Sequence, residues 1–175
     1  MIQIVAALLL QGPAPSLTPL QKLDYFTGKW AFEWIAPESP LGPAGKITGT
    51  ETCRKVLDGR FLECDIEGRG PAGPFTARAL MGYDERDKAI TRHEFDSSGA
   101  VILKKGPMGG DAGGWNTVFW ESTPFFRDGR PLRLRGSTNM YSPVSYRLRL
   151  EISVDGGPFT SFGSPWYKKQ DRPTP

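Results

Sequence analysis

Histidine and cysteine are nearly absent from this sequence, which contains one histidine and two cysteines. A standard zinc site needs four nitrogen or sulfur ligands, or three and a water molecule, so these residues cannot build one. The nucleophile elbow Gly-x-Ser-x-Gly is also missing, together with a helix that would present its serine. We therefore expect no metal site and no cofactor.

Long apolar runs and a strong net charge are lacking as well. The apolar run over residues 2–10 is too short to span a bilayer, so we expect no transmembrane segment. The net charge is only +3. Because nucleic-acid binding requires a clustered basic surface, this balance gives no reason to expect a nucleic-acid partner.

The N-terminal residues 1–17 admit two interpretations. The apolar run has the length of a signal-peptide hydrophobic region and is followed by a Pro-rich linker, which predicts export to the periplasm or secretion. No lysine or arginine precedes the run, and no Ala-x-Ala cleavage site follows it. The alternative is a disordered tail or a misassigned start codon on a cytoplasmic protein. In either case we expect one domain over residues 18–170 and a disordered tail over 171–175.

Glycine and proline are abundant, at 21 and 16 residues, and lie mainly between runs in which apolar and polar residues alternate. Alternation with a period of two is typical of a half-buried β-strand, and glycine and proline favour the turns that join strands. No long helix, internal repeat or coiled coil interrupts the pattern. The sequence therefore predicts an antiparallel, all-β architecture.

The clearest hairpin signal is Asp58-Gly59, because a two-residue type I′ turn requires positive φ at both positions. A turn there places Cys53 opposite Cys64. The face of this ribbon that we expect to turn inward carries Ile47, Gly49, Glu51, Cys53, Leu62, Cys64 and Ile66.

The two cysteines could form a disulfide. Directly opposed, hydrogen-bonded residues of an antiparallel pair have Cα atoms about 5.5 Å apart, which is within disulfide range. An oxidising compartment would let Cys53 and Cys64 bridge. The alternative is a pair of buried thiols that act as small apolar side chains.

A short helix is predicted before the first strand. Residues 18–21 (TPLQ) have Thr as N-cap, Pro at the first helical position and Gln at the third, which is a capping-box arrangement. The helix is too short to be stable unless it docks, so we expect it to close one end of the domain. About ten strands in hairpin order predict a closed up-and-down β-barrel, because closure removes exposed strand edges.

Four segments in order carry a resemblance to a known family: residues 23–30 (LDYFTGKW), 56–62 (VLDGRFL), 82–84 (GYD) and 96–99 (DSSG). With them the chain resembles the calycins, the lipocalin-like barrels, and more specifically the bacterial family known as domain of unknown function 1579. The resemblance implies an antiparallel barrel with a central cavity and no established activity. It also implies that Trp30 stacks under a basic side chain, for which Lys168 is a candidate. Related haem-binding barrels use a histidine on a late strand, whereas His93 lies mid-chain.

The predicted cavity wall comprises Phe32, Trp34, Glu51, Ile66, Met81 and His93. Glu51 is either a ligand-binding group or a structural acceptor, because a buried carboxylate needs a partner. His93 would be a polar contact for a ligand if its side of the strand faces the cavity. The alternative is a hydrogen-bonded core or surface histidine.

Four arginines form a second candidate site. If the strands around residues 131–140 and 144–154 pair as their leucines suggest, Arg133 lies opposite Arg149 and Arg135 opposite Arg147. Like charges directly opposite are unfavourable, so an anionic ligand or partner could compensate them. Acidic neighbours or plain solvation are the alternatives.

The sequence thus predicts a barrel that binds a small, partly apolar molecule. One alternative is a structural or protein-interaction barrel with a filled core, favoured by an exposed aromatic patch around Trp115 and Phe119. A second is a small hydrolase-like enzyme that uses His93 with a turn serine, Ser97 or Ser98.

Overall fold

A computed structural model of the protein describes residues 17–110 and 116–170. The predicted signal peptide and linker, apart from Leu17, and the predicted tail lie outside the described residues. A short helix, α1 (Pro19–Leu23), and a 3-10 turn over Asp24–Phe26 precede the strands. The strands are β1 (Gly28–Ala36), β2 (Gly45–Val56), β3 (Phe61–Gly70), β4 (Gly73–Asp84), β5 (Ala89–Asp96), β6 (Val101–Gly110), β7 (Asn116–Ser122), β8 (Phe125–Arg127), β9 (Arg130–Ser142), β10 (Ser145–Val154), β11 (Thr160–Gly163) and β12 (Trp166–Lys169).

The strands form one closed antiparallel sheet. Neighbours along the chain pair from β1 to β7, and β7 and β8 both pair with β9. β10 pairs with β9, β11 and β12, and β12 pairs with β1, where Trp30 lies opposite Lys169. β7 and β8 pair with successive parts of β9 and share one position around the barrel, as β11 and β12 do beside β10. The twelve strands therefore fill ten positions around the barrel axis. The predicted up-and-down barrel with a short N-terminal helix is confirmed.

The β2–β3 hairpin has the predicted register, with Cys53 opposite Cys64. The turn is longer than the predicted two residues: all four residues from Leu57 to Arg60 lie outside the ladder, and Leu57 also has positive φ, at 51°. A disulfide joins the two cysteines, whose Cα atoms are 4.1 Å apart. This distance is typical of a non-hydrogen-bonded pair, and not of the hydrogen-bonded pair that we expected.

The helix closes one end of the barrel. Its capping box is present: the backbone N–H of Gln21 donates to the Thr18 hydroxyl, and the Thr18 N–H donates to the Gln21 side chain. Trp30 lies below it, fully buried, and its indole N–H donates to the carbonyl of Phe26. The basic side chain over the Trp30 ring is Lys169, 5.1 Å from the ring centre, and not the predicted Lys168.

The other end of the barrel is formed by the β1–β2, β3–β4, β5–β6, β8–β9 and β10–β11 connections. The Gly-rich segment from Gly106 continues β6 through Gly110 towards the closed end; residues 111–115 lie outside the described part. The helices described in residues 17–110 and 116–170 are too short to be membrane spans.

Candidate functional site

A cavity of about 500 Å³ occupies the barrel interior. It reaches from Phe26 and Tyr146 near the helix to the connections at the opposite end, where Pro37, Pro71 and Ser97 line it. These three residues are exposed, so the cavity opens to solvent at this end, which we call the mouth. A pocket of this size can hold a drug-sized molecule.

Five of the six predicted cavity residues lie in its wall, namely Phe32, Trp34, Glu51, Ile66 and Met81. Side chains along a strand point alternately to its two faces, so the neighbours of these wall residues along each strand face outward. Gly49 is required here, because a Cβ atom at this position would lie 2.4 Å from Cζ of Phe32. The wall is otherwise largely aliphatic and aromatic.

Two opposite charges meet across the middle of the cavity. Glu51 on β2 is almost fully buried, and its Oε1 accepts a hydrogen bond from Nη1 of Arg92 on β5 at 2.7 Å. The second oxygen of Glu51 lies 3.4 Å from the hydroxyl of Tyr146, which donates to it. Glu51 therefore has a cationic partner and a neutral one.

The charge pair continues towards β6. Nε of Arg92 donates to Oε2 of Glu94 at 3.0 Å, and Nζ of Lys104 donates to the same oxygen at 3.1 Å. Lys104 also lies over the ring of Trp120, at 5.2 Å from its centre. We call Glu51, Arg92, Glu94 and Lys104 the four-charge network. All four side chains line the cavity and are less than 20% exposed.

The network keeps Glu94 and Arg92 charged. Burial alone would raise the pKa of Glu94, but the Lys104 and Arg92 cations outweigh burial and lower it to about 2. Burial alone would lower the pKa of Arg92, and the carboxylates of Glu51 and Glu94 outweigh it in the same way and raise that pKa. Both groups are therefore ionised at neutral pH.

Two stacked tyrosines form one side of the cavity near the network. The rings of Tyr146 and Tyr167 are 4.3 Å apart and nearly parallel. Burial, and then the negative charge of Glu51, raise the pKa of both hydroxyls well above the usual value, so both remain protonated. Each can therefore donate a hydrogen bond.

The sixth predicted residue, His93, does not line the cavity. Its side chain is exposed on the outer face of β5, between Leu80 of β4 and Leu103 of β6. The physical reason is strand alternation: Arg92 and Glu94 point inward, so His93 between them points outward. Among the described residues, no hydrogen bond joins Ser97 or Ser98 to His93; Ser98 donates to Asp96 within its own turn.

The sequence analysis assigned no role to the inward-facing side chains of β5 and β6, which are Arg92, Glu94 and Lys104. A signal for the inward direction was present. The polar turn after Asp84 pairs Met81 with Arg92, and opposed residues point to the same face of a sheet. If Met81 faces inward, Arg92 must face inward too.

The predicted arginine pairing is wrong. Arg135 lies opposite Glu151 and donates to its carboxylate at 2.6 Å, and Arg147 lies opposite Asn139. The turn forms around Pro143, and both strands extend to it, with a bulge on β9 where Tyr141 has no partner on β10.

The remaining arginines also differ from the expectation. Arg133 forms an ion pair with Glu121, Arg147 lies over the ring of Trp166, and Arg149 lies opposite Ser137. Two of the four charges therefore have acidic partners, and anion binding by these arginines stays a prediction.

Residues 18–169 match the model of the family described as "Protein of unknown function (DUF1579)". The chain belongs to this family. No curated protein matches the sequence. The match spans every strand from β1 to β12, and the family brings no assigned activity.

Three solved structures are similar to this member of the family. The crystal structure of Rv2717c from M. tuberculosis has a TM-score of 0.70 at 15% identity, over 89% of this chain and 99% of that one. At this identity the likeness shows the fold alone. A de novo designed fluorescence-activating β-barrel has a TM-score of 0.47 at 18% identity over 84% and 95% of the two chains. The structure of EF1p2_mFAP2b bound to DFHBI has the same score at 11% identity over 87% and 100%.

Proposed function

We propose that this protein is a lipocalin-like carrier or receptor that binds a small, partly apolar molecule inside its barrel. The observation that carries the proposal is the open cavity of about 500 Å³, with apolar walls and a few polar groups at its centre. This combination is typical of small-molecule sites, in which apolar surface provides affinity and a few polar groups fix orientation. A filled core would have favoured a structural role instead.

We also propose that the protein works in the periplasm or outside the cell. The Cys53–Cys64 disulfide supports this location, because structural disulfides persist mainly in oxidising compartments. Labelling of both thiols in the native host without any reductant would contradict this part of the proposal.

The test of ligand binding is to fill the cavity. Ile66→Phe and Leu148→Phe each add bulk to the wall, and Val101→Phe adds the same ring to the exposed outer face. Native mass spectrometry of protein purified from its own host should detect a bound small molecule in the unaltered chain and in Val101→Phe. The two wall variants should retain much less of it. Repeated absence of any adduct, or equal retention in all four proteins, would contradict the proposal.

A further inference from the structure

We infer that the four-charge network makes the cavity selective for an uncharged ligand with a hydrogen-bond acceptor, such as a ketone, ester or amide on an apolar body. This inference rests on the proposed ligand binding and specifies the class of molecule. Its two parts, the absence of charge and the presence of an acceptor, come from two separate features of the network.

The first feature is charge balance. Glu51 and Glu94 contribute two negative charges, and Arg92 and Lys104 contribute two positive ones, so the network is neutral as a whole. A charged ligand would bring an extra charge into a mostly apolar cavity or would have to break an existing pair. Either event costs free energy that burial of an uncharged molecule does not cost.

The second feature is an excess of donors. A guanidinium carries five N–H groups and an ammonium three. The contacts to Glu51 and Glu94 use two of those on Arg92, and the contact to Glu94 uses one on Lys104. The Tyr167 hydroxyl adds a further donor, since no other described residue hydrogen-bonds to it.

Acceptors, in contrast, are mostly occupied. Both oxygens of Glu51 accept hydrogen bonds, and Oε2 of Glu94 accepts two. A ligand oxygen placed between Arg92, Lys104 and Tyr167 would therefore find donors, whereas a ligand donor would find few free acceptors. A carbonyl group meets this requirement without adding charge.

Three probes built on the same naphthalene body test the two parts of the inference separately. They are 6-propionyl-2-(dimethylamino)naphthalene, a neutral ketone; 6-(dimethylamino)-2-naphthoate, an anion; and 2-(dimethylamino)naphthalene, which lacks the carbonyl. Titration calorimetry with the unaltered protein should give a Kd for the ketone about tenfold lower than for either other probe. Tighter binding of the naphthoate would overturn the inference and leave the proposed function standing. Failure of all three probes to bind would overturn both.

A charge variant then tests the cause. Glu94→Gln leaves the network with one excess positive charge, so the naphthoate should now bind at least as tightly as the ketone. Glu67→Gln makes the same change in total charge on the exposed outer face and should leave the order of the probes unchanged. An unchanged order in folded Glu94→Gln would overturn the inference. Because the comparison on the unaltered protein needs no variant, a misfolded Glu94→Gln would still leave a decisive result.

Discussion

The guanidinium of Arg92 and the carboxylate of Glu51 meet at 2.7 Å through the barrel interior, so that β5 and β2 are joined across the cavity as well as around the wall. The Glu51 side chain is only 4% exposed. A buried charge that loses its partner is costly, because water cannot replace the partner. This relationship gives the first prediction.

Arg92→Met should lower the free energy of unfolding by about 3 kcal/mol, because it leaves the Glu51 carboxylate buried without its cation. Arg54→Met is the control, since Arg54 pairs with Glu63 on the outer surface, where ion pairs contribute less than about 1 kcal/mol. Urea unfolding measures both. The double variant Glu51→Gln/Arg92→Met should regain part of the loss, and equal losses in Arg92→Met and Arg54→Met would contradict the argument.

Acid should weaken the fold through Glu94. Folding lowers the pKa of Glu94 from its ordinary 4.5 to about 2, so its stabilising contribution is complete above pH 4.5 and is lost as the pH falls towards 2. The shift corresponds to about 3 kcal/mol. Urea unfolding at several pH values should show the unaltered protein losing that much more stability than Glu94→Gln over this range. Parallel profiles for the two proteins would show that Glu94 is not the responsible group.

Removing the disulfide should destabilise the β2–β3 hairpin region. Cys53→Ala/Cys64→Ala removes a crosslink between residues with a sequence separation of 11. In the chain-entropy model this loss lowers the free energy of unfolding by about 3 kcal/mol. Thermal unfolding of this variant, and of the unaltered protein with and without dithiothreitol, measures the effect. Alkylation under denaturing conditions without reductant should modify neither cysteine. Modification of both would show that the bond is absent.

The docked helix should depend on Tyr25. Its hydroxyl lies 2.7 Å from the carbonyl of Ser142 and 2.8 Å from that of Ser145, so it links the helical end to the β9–β10 turn. Tyr25→Phe removes this link and should cost about 1 kcal/mol. Tyr141→Phe is the matched control on an exposed tyrosine and should cost almost nothing. Denaturant midpoints for the two variants check the difference.

Local patterns explain why much of the barrel is predictable from sequence. The β2–β3 register can be predicted from Asp58-Gly59 because both signals lie within a few residues: the turn sequence, and the alternation of apolar and polar residues in the strands on either side. The predicted β9–β10 register is wrong because shifting one strand by two or four residues leaves the leucines on the same face, so their alternation fits several registers. Pro143, which cannot join the ladder as a donor, is the residue that decides among them.

The centre of the candidate site was harder to predict. On β5 either face could be the inner one, because Ile90 is followed on its side by Arg92 and Glu94, and the opposite side carries His93 and Phe95. The usual rule places charges in solvent. Here the charges face inward because they neutralise one another across strands that are distant in sequence. The local pattern that indicates this direction is the pairing of Arg92 with Met81 across the turn after Asp84.

The pairing of β1 with β12 extends over only four residue pairs, between Trp30 and Glu33 on one strand and Trp166 and Lys169 on the other. A chain still emerging from the ribosome, or cut before Trp166, would lack this seam and would expose an unpaired edge along β1. Closure must therefore wait until synthesis has passed Lys169.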